Sequence, residues 1–155
     1  VSQPVDLFDT VKSSFDFLYF KIREIQVENP EPIPRIQVLV NPKEMQQVVI
    51  NILSNACDVI NFKLNIPVKK IICEYSTENN YGILTITDTG CGIPQNLLSK
   101  IFEPFFTTKP TGKGTGLGLS ICYGIIKKYN GDITVDSDGE SYTQVKIKLP
   151  LALKD

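Results

Sequence analysis

Apolar residues recur at three- and four-residue intervals near the start of the chain, at Leu7, Val11, Phe15, Leu18, Ile22 and Ile25. Residues so spaced share one face, and the spacing predicts an amphipathic helix over 6–26. Pro30, Pro32 and Pro34 then forbid helix, so 27–34 reads as a turning connection. Ile36, Val38 and Val40 alternate as a short strand. Asn41-Pro42-Lys43-Glu44 follows as a helix start, with asparagine at the cap, proline at the first position and glutamate at the third. This second helix is expected over 42–65. Met45, Val48, Val49, Ile52, Leu53, Ala56, Val59 and Ile60 give it a wide apolar face, while Asn51, Asn55 and Asp58 fall at i, i+4 and i+7 on a polar stripe. A plain core helix has no such stripe.

Two alternating runs, 68–77 and 81–87, flank Glu78-Asn79-Asn80 and read as an antiparallel hairpin ending on Asp88. A short helix is expected over 95–102, then an irregular stretch rich in Thr, Lys, Gly and Pro to about residue 114. A further helix should run from 115 or 116 to 129, with Leu117, Leu119, Ile121, Ile125 and Ile126 on its apolar side and Asn130-Gly131 ending it. Runs at 132–137 and 142–149 form a second hairpin through Asp138-Gly139. Hairpins set between helices argue for helices on one face of a mixed, mainly antiparallel sheet rather than a doubly wound parallel sheet. With no repeat or long linker, 1–155 reads as one domain.

Composition excludes several classes of function. At 155 residues a core can form without staples. A net charge of −1 gives no electrostatic footprint for nucleic acid. No window reaches the roughly 20 apolar residues of a membrane span, and no signal peptide opens the chain. The expectation is a cytoplasmic, monomeric piece of a longer protein, making no membrane contact itself. Cys57, Cys73, Cys91 and Cys122 lack metal-site spacing and read as reduced small hydrophobes, with Cys91 the one expected to be exposed.

Candidate chemistry lies in three stretches: Asn51 to Ala56, Asp88 to Pro94, and Gly112 to Ser120. Asp88, at a strand end before a glycine turn, can accept a hydrogen bond from the exocyclic amine of adenine. Gly90 and Gly92 would let the backbone approach the ring without a Cβ in the way. Alone, that turn reads equally as structural. Gly112, Gly114, Gly116 and Gly118 run into a helix and offer backbone N–H groups to phosphates, with Lys109 and Lys113 adding charge. Alone, such a run is also a flexible loop, and it is not a Walker loop. Asn55 offers a neutral oxygen to a Mg2+ ion that keeps most of its waters. The other reading of Asn51 and Asn55 is a buried, hydrogen-bonded pair.

In this order the stretches resemble the ATP-binding catalytic domain of sensor histidine kinases, in the GHKL superfamily that includes gyrase and chaperone ATPases. Gln47 to Asp58 looks like the asparagine box, Asp88 to Pro94 the first glycine box, Ile101 to Lys109 the phenylalanine box and Gly112 to Ser120 the second glycine box. The resemblance spans about 36–150. It implies a two-layer α/β sandwich of the Bergerat type, binding ATP and Mg2+ beneath a mobile lid at about 102–115. The implied nucleotide contacts are Asn51, Asn55 and Asp58 on the helix, Asp88, Gly90, Gly92 and Ile93 after the strand, and Thr143 on the last hairpin. Thr108, Lys109, Gly112, Lys113, Gly114, Thr115, Gly116, Leu117 and Gly118 would close on the phosphates. Asn55 would be the metal ligand, and Asn51 and Asn55 the catalytic pair.

Hydrolysing members of the superfamily carry a glutamate base where this chain has Asn51, and a neutral amide takes no proton from water. That favours transfer of the γ-phosphate to a partner. The implied acceptor is a histidine on a separate dimerisation domain, with relay to a response-regulator aspartate. No histidine occurs among the 155 residues, so the chain cannot phosphorylate itself on histidine. Phe102, Phe105 and Phe106 are candidates for meeting the histidine domain or for packing the lid hinge. Many relatives carry a lysine or arginine where Asp58 stands, which shifts phosphate contact toward the lid. Two alternatives share the four boxes: a serine or mitochondrial-type protein kinase, expected to carry an acid in place of Asn51, and a nucleotide-binding regulatory module without transfer.

Overall fold

The computed structural model describes residues 1–62, 67–106 and 118–152. Alternating burial along β4 (Lys70–Glu78), β5 (Tyr81–Asp88), β6 (Asp132–Ser137) and β7 (Thr143–Pro150) marks strands with one face turned to the core. With β2 (Gln26–Glu28) they form a five-stranded sheet in the order β2-β4-β5-β7-β6. All its neighbours are antiparallel except β2 and β4, which run parallel. Helices α1 (Leu7–Phe17), α2 (Tyr19–Ile22), α3 (Pro42–Phe62) and α4 (Gly118–Lys128) supply the second layer. Val48, Val49, Ile52 and Leu53 of α3 and Ile126 of α4 meet Ile71, Leu84, Ile86 and Ile147 of the sheet in one core. The result is the expected α/β sandwich with a mixed sheet. A small antiparallel pair, β1 (Gln3–Asp6) with β3 (Gln37–Val40), joins it through a bridge from Val38 to Leu151.

Turn chemistry sets the register of the sheet. Asn79 and Asn80 both hold positive φ, 48° and 70°, which lets a two-residue loop match the strand twist. Asn130, at φ 63°, ends α4 in the left-handed conformation, and the Gly131 N–H returns to Ile126 O at 3.0 Å. The Tyr129 hydroxyl and Lys128 Nζ, the latter at 2.9 Å, both donate to Glu44 and tie the end of α4 to the start of α3. The Tyr129 bond first, then Lys128, holds the Glu44 carboxyl below its usual range.

The first helix departs from expectation. Asp6 is a cap, not a helical residue: one oxygen accepts from Asp9 N at 3.0 Å, the other from Ile36 N at 3.0 Å. The expected single helix breaks at Leu18, whose φ of −100° and ψ of 18° leave the helical region. Ser14 Oγ donates to Thr10 O at 2.7 Å just before the break, back-bonding of the kind that bends helices. Part of the expected turn is strand β2, whose three residues are too few for alternation to reveal, and β1 has only four. The helix expected over 95–102 is a 3-10 helix, Gln95–Lys100. The ends expected for α3 and for the start of α4 lie outside the described residues, as does most of the expected lid. Among the described residues no helix is long and apolar enough to cross a membrane.

Candidate nucleotide site

Strand β5 ends by carrying Asp88 to the edge of the core, where it pairs in register with Thr143 of β7, and Thr143 in turn pairs with Ser137 of β6. Three polar side chains thus stand in a row across three strands, each under 9% exposed. Asp88 Oδ1 accepts the Gly90 N–H at 2.9 Å. Burial pushes the Asp88 pKa up to about 6, against the opposing pull of that N–H. At neutral pH the carboxylate is ionised, in the state that accepts a hydrogen bond from an amine. Helix α3 passes close by, since a Cβ on Gly90 would stand 2.3 Å from Val59 Cγ1, one turn beyond Asn55.

The loop after Asp88 is held from the far side by Ser137, a residue with no signal in the sequence. Ser137 Oγ accepts from Ile93 N at 2.8 Å and from Gly139 N at 3.1 Å, and donates to Tyr142 O at 2.6 Å. Gln95 Nε2 donates to Ser137 O at 2.6 Å. The adjoining turn is organised by Asp138, which accepts from the Ser141 hydroxyl and from the N–H groups of Ser141, Glu140 and Tyr142. The Ser141 hydroxyl foremost, these donors hold the Asp138 carboxyl well below the usual carboxylate range.

Gly90 and Gly92 are also closely packed within the protein. The space beyond their α-carbons is occupied by the protein itself: Val59 and Asp88 at Gly90, and Glu140 N and Ser137 Oγ, at 2.7 and 2.8 Å, at Gly92. Gly92 also holds a positive φ of 72°. These glycines dock the loop on α3 and on the β6–β7 hairpin. Cys91 between them is half-buried rather than exposed, its thiol directed to Gly92 O at 3.6 Å.

Asn51, Asn55 and Asp58 are all half-buried on α3. The thiol of Cys122 on α4, beside Asn51, donates to Val48 O at 3.7 Å. Asn51 also borders an open cavity of about 270 Å³ lined by Phe17, Lys43, Gln46, Gln47 and Ile50. Asp58 meets a partner that sequence reasoning missed: Lys21 Nζ of α2 lies 3.0 Å from Asp58 Oδ1 and 2.9 Å from Ser54 Oγ. Among the described residues no group of three or more His, Cys, Asp or Glu can hold a metal. A Mg2+ ion shared with phosphates needs no such group, and the Asn55 carboxamide is a hard oxygen donor suited to it.

Asp88, Gly90, Gly92, Ile93 and Thr143 are therefore brought together at one end of the sheet, beside the asparagine-bearing face of α3. Gly118 opens α4, with nothing within 4 Å of a Cβ built on it. Thr108, Lys109, Gly112, Lys113, Gly114, Thr115, Gly116 and Leu117 lie outside the described residues. Phe102 packs on Tyr123 with ring centroids 5.4 Å apart, while Phe105 is exposed and holds a positive φ of 67°.

Residues 40–153 match the family model described as histidine kinase-, DNA gyrase B- and HSP90-like ATPase. The chain is 36% identical over 153 residues to the two-component sensor PprA of Pseudomonas aeruginosa, covering 96% of this chain and 16% of that protein. It is 43% identical over 122 residues to the sensor kinase CckA of Brucella abortus, covering 72% of this chain and 13% of that protein. The chain thus spans less than a fifth of the length of these curated relatives. Among solved structures, a mycobacterial sensor histidine kinase, MprB, superposes with a TM-score of 0.83 at 26% identity, covering 99% of this chain and 100% of that one. The catalytic domain of the histidine kinase ThkA gives 0.80 at 27% identity, covering 97% and 95%. With asparagine and glycine boxes set around one strand end, the chain belongs to the histidine kinase-, DNA gyrase B- and HSP90-like ATPase family, in the form of a histidine kinase catalytic domain.

Proposed function

We propose that residues 1–155 are the single ATP-binding catalytic domain of a two-component sensor kinase. In this reading it binds MgATP and donates the γ-phosphate to a histidine on a separate dimerisation domain, for relay to a response-regulator aspartate. The observation that carries the reading is the buried, ionisable Asp88 at the end of β5, paired with Thr143 and facing the asparagine-bearing helix α3.

Each residue then has a task. Asp88 accepts the adenine amine, and Thr143 lines the same pocket. Ile93 sits on the loop pinned by Ser137, so that the floor of the site is fixed before nucleotide arrives. Asn55 offers its oxygen to Mg2+, which when bound neutralises charge on the phosphates. Asn51 lies on the phosphate side and, being a neutral amide, activates no water, so the phosphoryl group is kept for the partner's histidine. Positioning and charge neutralisation do most of the work in such transfers. Lys109, Lys113 and the glycines from 112 to 118 are assigned to closure over the phosphates. We place the domain in the cytoplasm, where ATP and response regulators are found.

Calorimetric titration with a non-hydrolysable ATP analogue, with and without Mg2+, tests the reading. Binding should strengthen with Mg2+ and fall in Asp88→Ala, and a supplied histidine domain should then become labelled from ATP. A folded wild type that binds no nucleotide would overturn it, and binding without labelling of any histidine domain would favour a regulatory module.

A further inference from the structure

We infer that Lys21 is a positioning residue for the phosphate side of the site, holding and neutralising Asp58 so that α3 meets a polyphosphate without net negative charge. The inference rests on the nucleotide reading above. Asp58 follows Asn55 by three residues, and side chains at that spacing are neighbours on a helix, with Cβ atoms about 5–6 Å apart. A bare carboxylate there would repel the ligand that Asn55 is proposed to help bind.

The structure supplies a countercharge from another element. Lys21 Nζ is held at two points, Asp58 Oδ1 at 3.0 Å and Ser54 Oγ at 2.9 Å, on successive turns of α3. Its backbone is held as well: Lys21 O accepts from Asn61 Nδ2 at 3.0 Å, and Lys21 N donates to Leu18 O at 2.9 Å. Ile22, the next residue, is buried in the core. Because α2 restarts at Tyr19 after the interruption at Leu18, the direction of residue 21 is set by packing on α3 rather than by the run of α1. The side chains are 46% and 16% exposed, so the pair stands at the rim. An ion pair so placed adds little to stability, and its removal leaves a folded chain whose binding can be measured.

The test is titration of ATP, ADP and adenosine, in Mg2+, into wild type, Lys21→Met, Asp58→Asn and the double variant. Methionine keeps the apolar stem and removes the charge. Lys21→Met should bind ATP about three- to tenfold more weakly, ADP less so, and adenosine unchanged, with the deficit shrinking near 1 M KCl. Asp58→Asn should bind ATP at least as tightly as wild type, and the double variant should recover to within about twofold of wild type. No loss in Lys21→Met, an equal loss for adenosine, or a double variant as weak as Lys21→Met would each overturn the role of Lys21 alone. A folded wild type that binds no nucleotide overturns the underlying reading instead.

Discussion

The two sides of the candidate site are built by different means. On the sheet side, Asp88, Thr143 and Ser137 are buried in a row across β5, β7 and β6, and the loop from Gly90 to Gln95 is stitched to the hairpin by direct hydrogen bonds. On the helix side, Asn51, Asn55 and Asp58 are half-buried, and the ties from α2 are exposed. A buried polar group left without its partner costs more than an exposed ion pair contributes. The end proposed for the base is therefore preformed and unforgiving, and the end proposed for the phosphates is electrostatic and tunable.

The largest effect expected from this contrast is at Asp88. Asp88→Ala should weaken binding of an ATP analogue roughly 10- to 100-fold by calorimetry, the loss expected for one hydrogen bond to a charged group. Asp88→Asn separates function from stability. Burial raises the folded-state pKa from 3.8 to about 6, so the ionised carboxylate opposes folding above pH 6, and that penalty fades as pH falls toward 4. Replacing it with a neutral isostere should stabilise the nucleotide-free chain by about 1–3 kcal/mol at pH 7.5 in urea unfolding, while binding falls. Equal stability of wild type and Asp88→Asn at that pH would show that the carboxylate is better solvated than its burial implies.

Ser137 comes next. Ser137→Ala removes the acceptor of the Ile93 and Gly139 N–H groups and the donor to Tyr142 O, and should cost about 1–3 kcal/mol in urea unfolding. It should also weaken adenosine and ATP by the same factor, because the loop it pins serves the base end. A loss confined to ATP would place the loop at the phosphates instead.

A smaller, graded effect is expected from pH. Since ionised Asp88 is the stronger acceptor and its protonated form keeps only a neutral carbonyl oxygen, affinity should fall as pH drops through about 6, by at most about tenfold per unit. The same titration on Asp88→Asn subtracts the nucleotide's own protonation. A wild-type profile parallel to that of Asp88→Asn would remove Asp88 from the adenine contact.

What was legible in the sequence divides along the same line. The strand end at Asp88, the polar stripe of α3 and both long hairpins follow from alternation, helical spacing and turn residues, which are local signals. Thr143 entered only through family resemblance, yet the two hairpin registers align it with Asp88 and Ser137, so that the row across the strands was implicit in the turns. Ser137 was missed because a serine in a strand has no pattern of its own. Its role arises from a loop 44 residues away in sequence. Lys21 was missed for a related reason: helical spacing carried straight through Leu18, and the break there depends on back-bonding and packing that periodicity does not register. The tight contacts of the first-box glycines with Val59 and the β6–β7 turn were likewise not legible, because they join segments distant in sequence.

The smallest effect sharpens the comparison most. Lys21→Met should change the unfolding free energy by less than about 1 kcal/mol, because the pair it breaks lies at the rim, where water screens the attraction and two flexible side chains lose freedom on pairing. Its several-fold effect on ATP would then exceed its effect on the fold, the reverse of Ser137→Ala, where stability and binding should fall together. Measured side by side by urea unfolding and nucleotide titration, the two variants should separate on a plot of binding loss against stability loss. If Lys21→Met instead destabilises the chain as much as Ser137→Ala, α2 is a structural strut rather than a carrier of charge, and the helix side of the site is built as rigidly as the sheet side.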